Sequence, residues 1–198
     1  MEERAARVRA FESAMAAWRA GGAVPAGDVD AAVLVEGTSD RAAVLAAAET
    51  TGADLAGAGV AVIPMGGAMS VGRYVRLLGP LGIPLRALCD RAEAGLFARA
   101  GMRPDQVGIC DPDLEGELIR ALGVERVERV LAQEGDLRLF RTFQQQPAQR
   151  GRTAAMQLHR FCGTTSGRKE RYARILTLAL PVDLIPPPLR DLIEAVRR

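Results

Sequence analysis

Eight acidic residues in three clusters are of the type that divalent-metal phosphate chemistry needs, and each cluster sits where a short apolar run ends. Val33-Leu34-Val35 leads into Glu36-Gly37-Thr38-Ser39-Asp40, which delivers one carboxylate at the end of a hydrophobic run and a second four residues on. Leu85-Arg86-Ala87-Leu88-Cys89-Asp90 repeats the arrangement, with Glu93 three residues after its Asp. Asp111-Pro112-Asp113-Leu114-Glu115-Gly116-Glu117 adds a third acidic cluster after another short apolar run. Magnesium and manganese are hard cations that prefer carboxylate oxygens. Glu36 and Asp90 are therefore expected to share an ion, with Asp40 and Glu93 holding it indirectly or recruiting a second. In phosphoryl transfer such ions orient a water and neutralise the scissile phosphate. Asp113 and Glu115 read equally well as helix-capping acids or as metal-facing ones. Glu117 has ordinary surface spacing.

Two kinds of residue complement the acids. Lys169 follows Ser166-Gly167-Arg168 and opens a helix with Tyr172, Ile175 and Leu176 on its apolar side. At the acidic rim its ammonium would steady charge developing on a phosphate; a solvated surface position is the rival reading. Gly66-Gly67 gives a tight turn where backbone can approach a ligand. Gly66, Gly67, Ser166 and Arg168 are the candidate phosphate contacts. His159 is the only histidine and reads as a helical-surface or interface residue, with a general acid or a phosphate contact as the alternative. Neither G-x-G-x-x-G nor G-x-x-x-x-G-K-[ST] occurs, so no nucleotide-driven motor is expected.

Positioning these residues requires alternating strands and helices. Ala31–Val35, Val60–Ile63, Leu85–Cys89 and Val107–Cys110 read as strands, separated by helical stretches over 39–51, 70–78, 91–100 and 114–122. The strands are mostly apolar, which suits a parallel sheet buried on both faces. Right-handed crossovers would then place Glu36, Gly66-Gly67, Asp90 and Asp111 at one sheet edge. Before the sheet, residues 2–20 carry a stripe of Val8, Phe11, Met15 and Trp18 at helical spacing, closed by Gly21-Gly22 and Pro25-Ala-Gly-Asp. After residue 130 the chain turns helical and basic. Gln144-Gln-Gln-Pro147 is a polar connection, and Met156, Leu158 and Phe161 are the apolar positions of the next helix. Residues 163–167 read as a flexible loop, Arg168 opens the next helix, and a short helix over 189–196 closes the chain. The expected organisation is an N-terminal helical segment (1–29), an α/β domain (30–130) and a basic helical extension (131–198).

Bulk properties set outer bounds. The 198 residues are 48% apolar and 25% charged, with a net charge of +2, values of an ordinary globular chain. Arg138 to Arg174 contains eight Arg and one Lys against the single acid Glu170, a segment able to face a phosphate backbone. No stretch approaches the roughly 20 apolar residues of a membrane span and no signal-peptide pattern opens the chain. Cys89, Cys110 and Cys162 read as reduced thiols of a cytoplasmic protein, with no zinc motif among them.

The ordered set from Glu36 to Lys169 resembles a Toprim domain. Its acidic opening is matched by Glu36-Gly37-Thr38-Ser39-Asp40, and the loop after its second strand by Gly66-Gly67. The usual Asp-x-Asp falls at Asp90-Arg91-Ala92, with Glu93 next door in place of the second Asp. Within that group the chain is similar to the C-terminal nuclease part of the overcoming lysogenization defect (OLD) proteins. Their DLE segment is matched by Asp113-Leu114-Glu115 and their late Lys by Lys169 in Ser166-Gly167-Arg168-Lys169-Glu170-Arg171-Tyr172-Ala173. Val33 to Ala173 also fits a small stand-alone bacterial group of the same type. The resemblance implies a Rossmann-like, four-stranded, mainly parallel sheet flanked by helices. It implies Mg²⁺ or Mn²⁺ held by Glu36, Asp40, Asp90, Glu93 and Glu115, and catalysis by Glu36, Asp40, Asp90 and Lys169. The expected activity is nicking or cleavage of DNA, with a separate ATPase as a candidate partner and a homodimer as a candidate assembly. Two alternatives stand beside it: a non-catalytic Toprim module binding nucleic acid or an ATPase, and an RNA-processing nuclease.

Overall fold

A computed structural model of the chain describes residues 2–24, 29–163 and 166–197. The expected closing residues 25–28 and the centre of the expected loop, Thr164 and Thr165, lie outside the described residues, as does the side chain of Ser166. Four strands, β1 (Ala31–Val35), β2 (Val60–Pro64), β3 (Leu85–Asp90) and β4 (Val107–Cys110), form one sheet in the order β2-β1-β3-β4. All three pairings are parallel, with Val33 opposite Val62 and Arg86, and Asp90 opposite Cys110.

Side chains alternate across a strand, so a strand covered on both faces must be apolar at every position. In β1 this is literal. Ala31, Val33 and Val35 enter one core together with Val60 and Val62 of β2 and Leu88 of β3. Ala32 and Leu34 enter the other with Ala61, Ile63, Ala87 and Cys89.

The helices divide between the faces. Helix α1 (Glu2–Arg19), α3 (Val71–Leu78) and α4 (Ala94–Arg99) supply Val8, Phe11, Met15, Trp18, Tyr74 and Phe97 to the second core. The expected stripe of α1 is buried at all four positions, and Trp18 meets Tyr74 edge-on at 5.1 Å. Helix α2 (Thr38–Thr50) covers the first face, joined there by α5 (Leu114–Leu122) and α6 (Val124–Gln133). The remaining helices, α7 (Leu137–Gln144), α8 (Ala154–Gly163), α9 (Ser166–Leu178) and α10 (Pro187–Val196), fill the same core with Phe140, Phe161, Tyr172, Leu176 and Leu189. The basic C-terminal third is thus woven into the core that holds β1, with α9 packed against α2.

Some local expectations shift. The helices expected from 70 and 91 each begin as a single tight turn, at Ala68–Ser70 and Arg91–Glu93, before becoming α-helical. Helix α9 starts at Ser166, two residues before Arg168. Met156 is 49% exposed, because α8 turns Leu158, Phe161 and Cys162 inward instead.

Both sheet edges are covered. On β2, Glu12 of α1 accepts from the Val62 amide at 2.8 Å, and Arg41 donates to the Val62 carbonyl at 3.1 Å. Arg41 and Glu12 then pair at 2.7 Å. This satisfies one residue of an edge that would otherwise offer free backbone groups. On β4, the Pro188 backbone of α10 lies so close to Gly108 that a Cβ there would meet it at 2.9 Å.

Candidate active site at the C-terminal edge of the sheet

The chain leaves β1 toward β2 on one side and returns to β3 on the other, so the crossovers part between β1 and β3. Open α/β sheets bind ligands in the crevice outside the strand ends at such a switch point. Glu36 follows the last residue of β1, and Asp90 is the last residue of β3.

Glu36 is fixed at both ends. Its carbonyl accepts the amides of Gly66 and Gly67 at 3.0 and 2.9 Å, and its Oε1 accepts the Asp90 amide at 3.0 Å. Gly66 and Gly67 have φ of +79° and +115°, a region that favours glycine. Their N–H groups are spent on Glu36, so the turn holds the acid in place rather than offering free amides to a phosphate. Asp40, 8% exposed, sits in the first turn of α2 and accepts the Gly37 amide at 2.8 Å. Asp90 Oδ1 accepts the Leu114 amide at 3.3 Å, which ties β3 to the start of α5.

Helix α5 brings the second acidic group. Asp113 caps it, accepting the Gly116 amide at 2.8 Å, while Glu115 turns inward and is 4% exposed. The carboxylate of Asp113 meets His159 Nε2 of α8 at 2.7 and 2.9 Å. Lys169 of α9 stands 3.4 Å from Glu115 Oε1. The Asp113, Glu115 and His159 side chains each offer a ligand atom, and these lie within 4.8 Å of one another. His159 therefore belongs to the acidic site and is not merely a helical-surface residue. Glu117 is buried too, accepting from the Asp111 amide at 3.0 Å and pairing with Arg120 at 3.0 Å. It braces the loop rather than facing solvent. Asp111 pairs with Arg91 at 2.7 Å.

Electrostatics show how closely these groups are gathered. Burial pushes the Asp90 carboxyl up to about 7, helped by the charges of Glu36, Asp40 and Asp113 and opposed by Lys169. Burial likewise raises Glu36, where Asp40 and Glu93 add repulsion, and raises Asp40 and Glu115. Burial also works against ionised Asp113, but the hydrogen bonds from His159 and Gly116 outweigh it and hold the carboxyl low. His159 is raised by its bond to Asp113. Lys169 loses charge stabilisation to burial and regains more from Glu115, Asp40 and Asp90. Thus Glu36, Asp40, Asp90, Glu93 and Glu115, five acids expected from sequence, are electrically linked directly or through Lys169.

A cluster with more buried carboxylates than cations suits a divalent metal. Glu115 Oε1 is buried with the Lys169 ammonium 3.4 Å away as its counter-charge, so a desolvated oxygen donor already stands beside a cation. Among the described residues, only Asp113, Glu115 and His159 gather three ligand atoms within 4.8 Å; Glu36, Asp40 and Asp90 are linked by charge without being gathered to that distance. The imidazole nitrogen beside Asp113 and Glu115 is tolerated better by Mn²⁺ than by Mg²⁺.

The other candidates are placed differently. Arg168 lies over the Phe161 ring at 4.4 Å, a packing role. Within the basic segment, Arg141 pairs with Glu128, Arg171 with Glu134 and Asp136, and Arg174 with Glu49. Much of that charge is therefore matched internally. The three cysteines are free and buried, and burial raises Cys89 and Cys162 to about 12. Among the described residues, no helix is long and apolar enough to cross a membrane.

A parallel α/β sheet with acids at its switch point is an arrangement that binds ligands at the strand ends. Residues 29–91 match the family model described as "Overcoming lysogenization defect protein-like, TOPRIM domain". The fold is similar to the C-terminal region of the Burkholderia pseudomallei OLD protein, with a TM-score of 0.62 and 22% identity over 86% of this chain and 98% of that one. It is also similar to the C-terminal region of the Xanthomonas campestris pv. campestris OLD protein, with a TM-score of 0.61 and 25% identity over 85% and 95%. No curated protein matches the sequence. Residues 29–91 thus match an OLD-like Toprim domain, and the fold over most of the chain is similar to that of OLD C-terminal regions. The family match takes in Glu36, Asp40 and Asp90, whereas Asp113, Glu115, His159 and Lys169 lie beyond it.

Proposed function

We propose that the chain is a divalent-metal-dependent phosphodiesterase that nicks or cleaves DNA. One observation carries the reading: carboxylates from the ends of β1 and β3 and the starts of α2 and α5 share one electrostatic environment with Lys169. Glu36, Asp40 and Asp90 would hold one Mg²⁺ or Mn²⁺, and Asp113, Glu115 and His159 could hold a second. Glu93 reaches this environment through its charge on Glu36. A cation bound here would neutralise phosphate charge and supply Lewis-acid activation.

The protein's own groups supply the rest. Lys169 presents an ammonium to the non-bridging oxygens, where negative charge grows in the transition state. Buried Glu115 holds that ammonium toward the site. Burial and the neighbouring carboxylates push Asp90 up to about 7, and a cation held there would favour its ionised form. Asp113 and His159 orient one another across α5 and α8.

The test is incubation of supercoiled plasmid with the purified chain and Mn²⁺ or Mg²⁺, beside Glu36→Ala and Lys169→Ala. Metal-dependent nicking lost in both variants supports the proposal. Intact plasmid with either metal overturns it, and the same protein is then assayed on structured RNA.

A further inference from the structure

The outer side of the site opens into a groove of about 580 Å³ between α5 and α8. Its floor is apolar, built from Pro112, Ile119, Val124 and the exposed Met156. Arg120, Arg152 and Arg160 line it with no carboxylate among them, and His159 stands at its head, bonded to Asp113 of the acidic cluster. Arg160 makes no hydrogen bond or ion pair to another described residue, in contrast to Arg120, which pairs with Glu117 at 3.0 Å, and to the matched arginines of α7 and α9.

We infer that this groove holds a single-stranded DNA segment next to the scissile phosphate. The inference rests on the phosphodiesterase reading and names its substrate. A duplex turns phosphates outward and stacks its bases inside, so it has no use for an apolar floor beside arginines. A single strand presents both surfaces, with bases for the floor and guanidinium planes and phosphates for the side chains. The continuity through His159 brings a bound strand to the metal ligands.

Binding is read by fluorescence anisotropy of a labelled oligothymidylate, with EDTA present so that no cleavage is needed. Unlabelled duplex, RNA and an acidic peptide serve as competitors. The full-length chain is compared with Arg160→Gln, Met156→Asp and Met156→Leu, each checked for an unchanged thermal transition. Met156→Asp is expected to weaken the oligothymidylate by about tenfold or more, in line with the loss of one base contact. Met156→Leu should restore it. Arg160→Gln should weaken binding and flatten its salt dependence by about one phosphate contact. Affinity unchanged in Met156→Asp and Arg160→Gln overturns the inference, as does preferential competition by duplex, RNA or the peptide. Plasmid nicking without oligothymidylate binding removes the groove and leaves the phosphodiesterase reading intact. Groove binding without cleavage on any DNA does the reverse.

Discussion

The amide of Asp90 donates to Oε1 of Glu36 at 3.0 Å, so the acid ending one strand registers the position of the acid ending its neighbour. The other oxygen of Glu36 remains available to a cation. Because the acceptor is one carboxylate oxygen, an amide oxygen can replace it without disturbing the strand ends. Glu36→Gln should therefore retain the fold, with a thermal midpoint at or above wild type, since it relieves repulsion with Asp40 and Glu93. Metal-dependent nicking should fall by more than about 100-fold, as for loss of a preorganised charge at a reacting phosphate. A plasmid assay beside a thermal melt checks both halves.

Lys169 stands over buried Glu115, and its replacement should separate charge from geometry. Lys169→Met leaves Glu115 without its cation, and the variant should nick at less than about one-hundredth of the wild-type rate. Lys169→Arg should recover little, because a planar fork does not reproduce a compact ammonium donor. Initial nicking rates at saturating Mn²⁺ decide the point. Near-wild-type rates in Lys169→Met would assign the residue a purely structural role.

His159 bonds Asp113 across two helices, and its effect should appear in metal dependence. His159→Ala is expected to raise the Mn²⁺ concentration for half-maximal activity by about 10- to 100-fold, the range seen for lost metal-site support. The rate at saturating Mn²⁺ should change much less. A metal titration of activity distinguishes this from a catalytic proton-transfer role, which would lower the saturated rate instead.

The metal-free protein should lose stability as pH rises from about 4 to about 7. Asp90 ionises at 3.8 when unfolded and at about 7 when folded, so in that window the folded state holds the extra proton and is favoured at the lower pH. The raised acids Glu36, Asp40 and Glu115 act in the same direction. His159 does as well: raised by Asp113, its contribution is complete below 6.5 and lost as pH climbs through the folded value. Thermal midpoints in EDTA should fall across the window, Asp90→Asn should flatten the slope, and Mn²⁺ should stabilise more at the upper end. A flat or rising profile in EDTA would refute the crowding of charge described for this site.

The C-terminal helices share one core with the strands, so damage there should be felt globally. Phe140 is fully buried and meets Phe161 at 5.3 Å. Phe140→Ala should cost about 3–5 kcal/mol in urea unfolding, in a single transition that also carries the sheet. Two transitions, with only the first shifted, would show the C-terminal third folding as a separate unit.

The sequence by itself determined the sheet and half of the site. Mostly apolar Val/Ile/Leu/Ala runs, each closed by an acid or glycine pair, specify strands covered on both faces with polar ends. That is local information, and Glu36, Asp40 and Asp90 were legible because they follow directly from those strand ends. Tertiary structure alone decided the other half. The contact between Asp113 and His159 spans 46 residues and joins two helices, and no spacing within either segment encodes it. A lone histidine 46 residues from a helix-capping acid was the only available signal. Likewise, Arg168 and Lys169 are neighbours in the chain, yet helical rotation sends one onto Phe161 and the other to Glu115. The match of basic residues to acids on α2, α6 and the α6–α7 turn was equally invisible, because ion pairing depends on which helix faces meet. Strand ends are fixed by nearest neighbours in sequence, whereas the pairing of charges across helices is fixed only when the core closes.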